Sequence, residues 1–138
     1  MRPLTLLACL VLSATAYGQS TMRFSLYAPE VDELPSRAQW MIALCDSEGY
    51  TIDRWAVEAT STYQTVRLPS QRYGTYTASF YLDLNGNGKL DEGFFGQPTE
   101  PYAFSNNARS MFSKPSIESQ RFYFDGDEID VKVEYHFD

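Results

Sequence analysis

From Met22 the residues alternate, with Met22, Phe24 and Leu26 on one side and Arg23, Ser25 and Tyr27 on the other. That period of two predicts a half-buried strand. Gln39 to Cys45 is apolar on both parities (Trp40, Ile42 and Leu44 against Met41, Ala43 and Cys45), the pattern of a central strand covered on both faces. Asp46-Ser47-Glu48-Gly49 reads as a turn. Strands then follow over about 50–58 and from Tyr63 to Leu68, where Pro69 is expected to break the pairing. From Gly74 runs the clearest alternation in the chain, with Tyr76, Ala78, Phe80 and Leu82 opposite Thr75, Thr77, Ser79 and Tyr81, and it leads straight into Asp83. Two further strands are expected. One is short, from Arg121 to Asp125; the other runs from Ile129 to Phe137, with Ile129, Val131, Val133, Tyr135 and Phe137 inward and Asp130, Lys132, Glu134 and His136 outward. About seven short strands with turn signals between them and no convincing helix predict an all-β protein, a single antiparallel β-sandwich of immunoglobulin-like or prealbumin-like type.

The pattern fails between Gly93 and Pro115, which follow neither periodicity. Phe94, Phe95, Tyr102, Phe104, Met111 and Phe112 are too many large apolar side chains for a solvated segment, so this stretch is expected to be one long ordered loop packed on the sheet. The first residues are of another kind. Arg2 is followed by an apolar run from Leu4 to Ala14 and by small residues at Ala14-Thr15-Ala16, which predicts a cleaved signal peptide over 1–18 and a single β-sandwich domain over 19–138. The run is shorter than the roughly twenty residues of a membrane span, so no transmembrane segment is expected after cleavage. Cys9 has too short a run before it for an acylation site. The expected location is outside the cytoplasm, periplasmic or extracellular.

Charge and cysteines narrow the function. The net charge of −7 becomes −8 once Arg2 is gone, which suits a cation better than nucleic acid, whose binding rests on Lys and Arg neutralising phosphates. With Cys9 in the leader, Cys45 stands alone and no intrachain disulfide is available. An exported domain without one gains from a metal tied into a loop.

Asp83-Leu84-Asn85-Gly86-Asn87-Gly88-Lys89-Leu90-Asp91 offers that metal a place. Side-chain oxygens recur at Asp83, Asn85, Asn87 and Asp91, and two glycines let the backbone curl, as a hard cation with six to eight oxygen ligands requires. The first half follows the Asp-x-Asn-x-Asn-Gly pattern of an EF-hand loop, with Lys89 at the seventh position, where such loops use a backbone carbonyl. The second half departs from it, because position twelve is Phe94 where an EF-hand has a bidentate Glu. Asp91, with Glu92 or a distant carboxylate, is expected to close the shell around Ca²⁺. The alternative is a plain turn, since Asn-Gly is also a strong turn signal.

Taken together, these residues resemble the exported bacterial family known as domain of unknown function 2141. The resemblance rests on Leu68-Pro69, Gly74-Thr75-Tyr76, the loop up to Asp91, Gly96-x-Pro98-x-Glu100-Pro101-Tyr102, Phe104-Ser105-Asn106-Asn107-Ala108 and Pro115. Two positions depart from the family pattern. Leu82 stands where members commonly have His, and Ser113-Lys114-Pro115-Ser116-Ile117 stands where they commonly have Gly-x-Pro-x-Phe. The resemblance implies an exported β-sandwich with no established activity, and it ties 93–107 to the loop. Glu100 then either returns a carboxylate to the ion or is a surface acid. Asn106 and Asn107 either supply an amide oxygen or form a turn.

Catalysis has little to work with. His136 is the one histidine, on the polar face of the last strand, and no nucleophile, metalloprotease or phosphate-loop motif is present. An Asp91 and Glu100 pair across a glycosidic bond would compete with the cation for the same oxygens. The sequence therefore predicts a non-enzymatic module that binds Ca²⁺ through Asp83, Asn85, Asn87, Lys89, Asp91 and Glu100. The competing expectation is a ligand-binding or adhesion module in which Phe94, Phe95, Tyr102 and Phe104 form an aromatic patch for a protein or glycan partner.

Overall fold

The structure is a computed structural model and describes residues 18–110 and 113–135. Residues 1–17 of the expected 1–18 leader, together with Met111, Phe112, His136, Phe137 and Asp138, lie outside the described residues. Among the described residues eight strands form two sheets: β1 (Gln19–Tyr27), β2 (Gln39–Asp46), β3 (Thr51–Glu58), β4 (Tyr63–Arg72), β5 (Gly74–Asp83), β6 (Tyr102–Phe104), β7 (Phe122–Phe124) and β8 (Ile129–Lys132). One sheet has the order β4-β1-β8, the other β3-β2-β5-β6, and β7 also pairs with β5. All pairings are antiparallel except β1 with β8, which run parallel from Phe24↔Ile129 to Tyr27↔Lys132. The expected β-sandwich is what the chain forms.

The core lies between the sheets and is built from the alternations. Met22, Phe24 and Leu26 from β1, Trp40, Ile42 and Leu44 from β2, Ala78, Phe80 and Leu82 from β5, and Val131 and Val133 are all buried. Phe24 meets Phe80 edge to face across the gap, with ring centroids 4.9 Å apart, the arrangement that aromatic quadrupoles favour. The Trp40 indole N–H is satisfied from the opposite sheet by Gln64 Oε1 at 3.0 Å.

Three expectations need correction. Pro69 does not end β4, which continues to Arg72. Its register skips from Thr21↔Ser70 to Met22↔Leu68, so Pro69 is the extra residue of a bulge on an edge strand, where a missing N–H costs no ladder bond. The other face of β2 is not fully covered, since Met41, Ala43 and Cys45 are half-buried. The 93–115 stretch contains a strand of its own. β6 holds the Ser79–Tyr81 part of β5 and β7 holds the Gly74–Tyr76 part, so two short strands lie in line along one edge of β5. Ser105 pins this excursion: its Oγ accepts the Ala78 N–H at 2.9 Å and donates to the Gln120 carbonyl.

Candidate functional site

β5 is hydrogen-bonded to β2 along its length and delivers Asp83 into the interior at the end of the sheet. The Asp83 side chain is 0% exposed. Its Oδ1 accepts the Gly86 N–H at 3.0 Å and its Oδ2 the Gly88 N–H at 2.7 Å. The chain therefore wraps around its own carboxylate, and the wrap requires left-handed backbone at Gly86 and Gly88 (φ 70° and 76°). A Cβ on Gly86 would also stand 2.6 Å from the Arg37 carbonyl, so this glycine serves both the turn and a close approach.

Glu100 does the corresponding work from outside the loop. It is 4% exposed. One oxygen accepts the Leu84 N–H at 2.6 Å and the other the Asp91 N–H at 2.9 Å, clamping the two ends of the loop together. Pro101 then leads into β6, with the Leu82 N–H on the Pro101 carbonyl. Burial, with Asp83 and Asp91 nearby, holds the Glu100 carboxyl above its ordinary range against the opposing pull of the two N–H donors.

Asp91 is the acid that faces outward. Its Oδ2 accepts Asn85 Nδ2 at 2.6 Å and its Oδ1 accepts Asn87 Nδ2 at 2.7 Å. These two amides hold its carboxyl below the ordinary range, helped by Lys89. The amide oxygens of Asn85 and Asn87 meanwhile accept the backbone N–H of Asn87 and Lys89. Tyr81 joins the loop to the sheet by donating its hydroxyl to the Gly88 carbonyl at 3.2 Å. Its phenol is held above its ordinary value by partial burial and by Asp83, Glu100 and Asp91.

The predicted set thus divides in two. Asp83 and Glu100 are buried behind the loop with both oxygens engaged by backbone N–H groups, while Asp91, Asn85 and Asn87 gather on its open side and Lys89, exposed beside them, donates its N–H to Asn87 Oδ1. Among the described residues no three His, Cys, Asp or Glu side chains group as a ready metal site. None of the three acids is in an ion pair with Lys or Arg among the described residues; the pairs formed are Arg109 and Lys132 with Glu134, and Arg121 with Glu48. Asn106 and Asn107 are placed elsewhere. Asn106 donates to the Arg121 carbonyl, and Asn107 Oδ1 accepts the Lys132 N–H at 2.9 Å.

The aromatic set divides as well. Tyr102 and Phe104 are half-buried on β6, 6.1 Å apart, with the Lys114 ammonium over the Phe104 ring. Phe94 and Phe95 stand outside, 94% and 88% exposed. The role that sequence reasoning missed is that of Tyr81, whose place on the polar face of β5 gave no sign of its bond to the loop.

A two-sheet β-sandwich with an acid-stapled loop at the end of its central strand is the class of protein these features define. The chain belongs to the family described as uncharacterized protein conserved in bacteria (DUF2141), whose model matches residues 19–132. No functionally curated protein matches it.

Proposed function

We propose that this is an exported, non-enzymatic β-sandwich whose loop takes up Ca²⁺ at Asp91, Asn85 and Asn87 and thereby stiffens the chain that follows. The observation that carries the reading is the gathering of Asp91, Asn85 and Asn87 on the open side of the loop, with Asp83 and Glu100 behind them and, among the described residues, no ion pair to any of the three acids; the two amides turn N–H groups to Asp91 and their oxygens to backbone N–H groups, so uptake of the ion requires both amides to rotate. A divalent cation would supply the missing positive charge. Oxygen donors alone, with no sulfur or imidazole, match a hard ion. Asp83 and Glu100 act as the frame, since each is buried and has both carboxylate oxygens on backbone N–H groups.

A catalytic role for the acids finds little support. Asp91 and Glu100 stand side by side, joined through the Asp91 N–H, whereas a glycosidase places its carboxylates about 5–9 Å apart across a substrate. Export is supported by the apolar run from Leu4 to Ala14, and by the family match beginning at residue 19, next to the expected cleavage region.

Extracellular Ca²⁺ modules bind with dissociation constants of about 10⁻⁴ to 10⁻³ M. At about 1 mM Ca²⁺ and the tighter limit, linkage contributes about 1.4 kcal/mol, equivalent to a rise in melting temperature of about 4–8 °C for a domain of this size. Titration calorimetry and thermal melts test the reading. Heat on adding Ca²⁺ and a melting shift of that order are expected, both lost in Asp91→Ala. A flat titration at millimolar Ca²⁺ would remove the ion from the account.

A further inference from the structure

The outer strands of the two sheets differ in how open they are to a further strand. The smaller sheet ends in β4, which is bulged at Pro69, and in β8, which is four residues long and has its Lys132 N–H taken by Asn107. On one side the larger sheet ends in β6 and β7, of three residues each. Bulges, prolines and short length are the means by which natural edges avoid further pairing. β3 is the exception. It is eight residues long, and among the described residues no strand pairs with its outer side. Its one irregularity lies at the start, where the register with β2 shifts between Leu44↔Asp53 and Cys45↔Thr51. From Arg54 to Glu58 it is regular and free of proline.

Neighbouring bonds fix the phase of this edge. The Ala59 N–H donates to the opposite Ala38 carbonyl at 3.0 Å. Antiparallel residue pairs alternate between bonded and unbonded, so Asp53, Trp55 and Val57 bond to β2, while Arg54, Ala56 and Glu58 turn their N–H and C=O groups away from it. Two side-chain bonds agree. The Arg54 N–H goes to Asp53 Oδ1 at 2.8 Å, and the Glu58 carbonyl accepts the Gln64 amide at 3.0 Å.

We propose that β3 pairs antiparallel with β3 of a second copy of this chain, about a two-fold axis at Ala56, and so joins the two larger sheets into one. The segment chooses this occupant because it is complementary to itself, as a two-fold contact requires. With Ala56 opposite its own copy, Arg54 falls opposite Glu58 of the second copy at both ends. The outward-turned N–H and C=O groups of Arg54, Ala56 and Glu58 then meet their counterparts. On the core side Trp55 falls opposite Val57 of the second copy. Both side chains are half-buried at the margin of the core, and an aromatic beside a β-branched residue is a favourable cross-strand pair. An axis at Trp55 or Val57 would leave Arg54 and Glu58 without an opposite charge. The chain carries −7, but at this contact Arg54 and Glu58 cancel, and like charges farther apart than about 10 Å are screened at 0.1 M salt. The pairing does not depend on Ca²⁺.

The test is sedimentation velocity of the full chain over about 1–100 µM, for the wild type, Arg54→Glu, Glu58→Arg, the two combined, and Ala56→Lys. Arg54, Ala56 and Glu58 are exposed, so each variant is expected to keep the wild-type circular dichroism. All samples share the same N-terminus, so association through Leu4–Ala14 would be common to them. The wild type is expected to dimerise with rising concentration. Each single reversal turns two attractive cross-strand pairs into two repulsive ones and should weaken the dimer by about tenfold or more, and the combined variant should regain the wild-type affinity. Ala56→Lys sets like charges against each other at the axis and should leave a monomer. A wild type that stays monomeric throughout overturns the proposal. So does a dimer that tolerates Ala56→Lys or either single reversal, and so does a combined variant that fails to recover.

Discussion

Removing the Asp83 carboxylate separates the frame of the loop from its ligands. In Asp83→Ala the Gly86 and Gly88 N–H groups lose a charged acceptor that now sits 3.0 and 2.7 Å away. Hydrogen bonds to charged groups contribute about 1.5–3 kcal/mol each. Two effects offset part of that loss: a buried charge is relieved of its desolvation, and water reaches the partly buried donors. A net loss of about 2–3 kcal/mol remains. For a domain of this size that lowers the melting temperature by about 6–15 °C. The loss is expected to be the same in Ca²⁺ and in chelator, because Asp83 holds the backbone and the ion is held by others. Asp91→Ala is the counterpart, erasing the Ca²⁺ shift while leaving the melt in chelator close to the parent. Circular dichroism melts of both variants in both buffers decide the matter. An Asp83→Ala protein that melts within about 2 °C of the parent in chelator, and falls behind only when Ca²⁺ is added, would refute the division of labour.

The raised Glu100 carboxyl predicts a pH signature. The native state keeps a proton there that the unfolded chain has already released, so this group's stabilisation is full below the ordinary Glu range and declines as pH rises through its elevated folded value. In Glu100→Gln that decline is absent, and urea melts across the window should show the wild type losing ground to the variant as pH increases; parallel curves would mean that the two N–H donors have cancelled the burial. Across the core, Gln64→Ala leaves the Trp40 N–H without its acceptor and is expected to cost about 1–3 kcal/mol in denaturant melts. Gln64→Glu keeps the acceptor oxygen but turns its second oxygen to the Glu58 carbonyl, to which the Gln64 amide now donates at 3.0 Å, so it should recover only part of the loss.

The sandwich was legible because its alternating strands send their large apolar side chains to one face. The alternations at Met22–Leu26, Tyr76–Leu82 and from Ile129 needed no knowledge of partners, although the last strand, expected to reach Phe137, ends at Lys132. β6 was not legible: it is three residues long and exists because the free edge of β5 needs a partner, a demand written in another part of the chain. Pro69 misled for a related reason, since a bulge is a property of two strands and the sequence shows only one at a time. At the site, the spacing of oxygen-bearing residues marked where the chain curls on itself but not the direction of its oxygens. Asp83 and Glu100 face inward because the Gly86, Gly88, Leu84 and Asp91 N–H groups need acceptors once the loop curls away from water. Glu100, read as either a ligand or a surface acid, proves to be a buried clamp.

The parallel contact between β1 and β8 has a bearing on how the molecule comes into being. The strand at the middle of the smaller sheet is made early, and its neighbour on one side arrives about a hundred residues later. Until then the Phe24–Tyr27 edge has no mate, and no partial chain emerging from a ribosome holds the complete sheet. Assembly has to wait for the whole polypeptide. A ribosome-stalled chain ending before Ile129 should accordingly be digested by protease at a rate that the released protein resists.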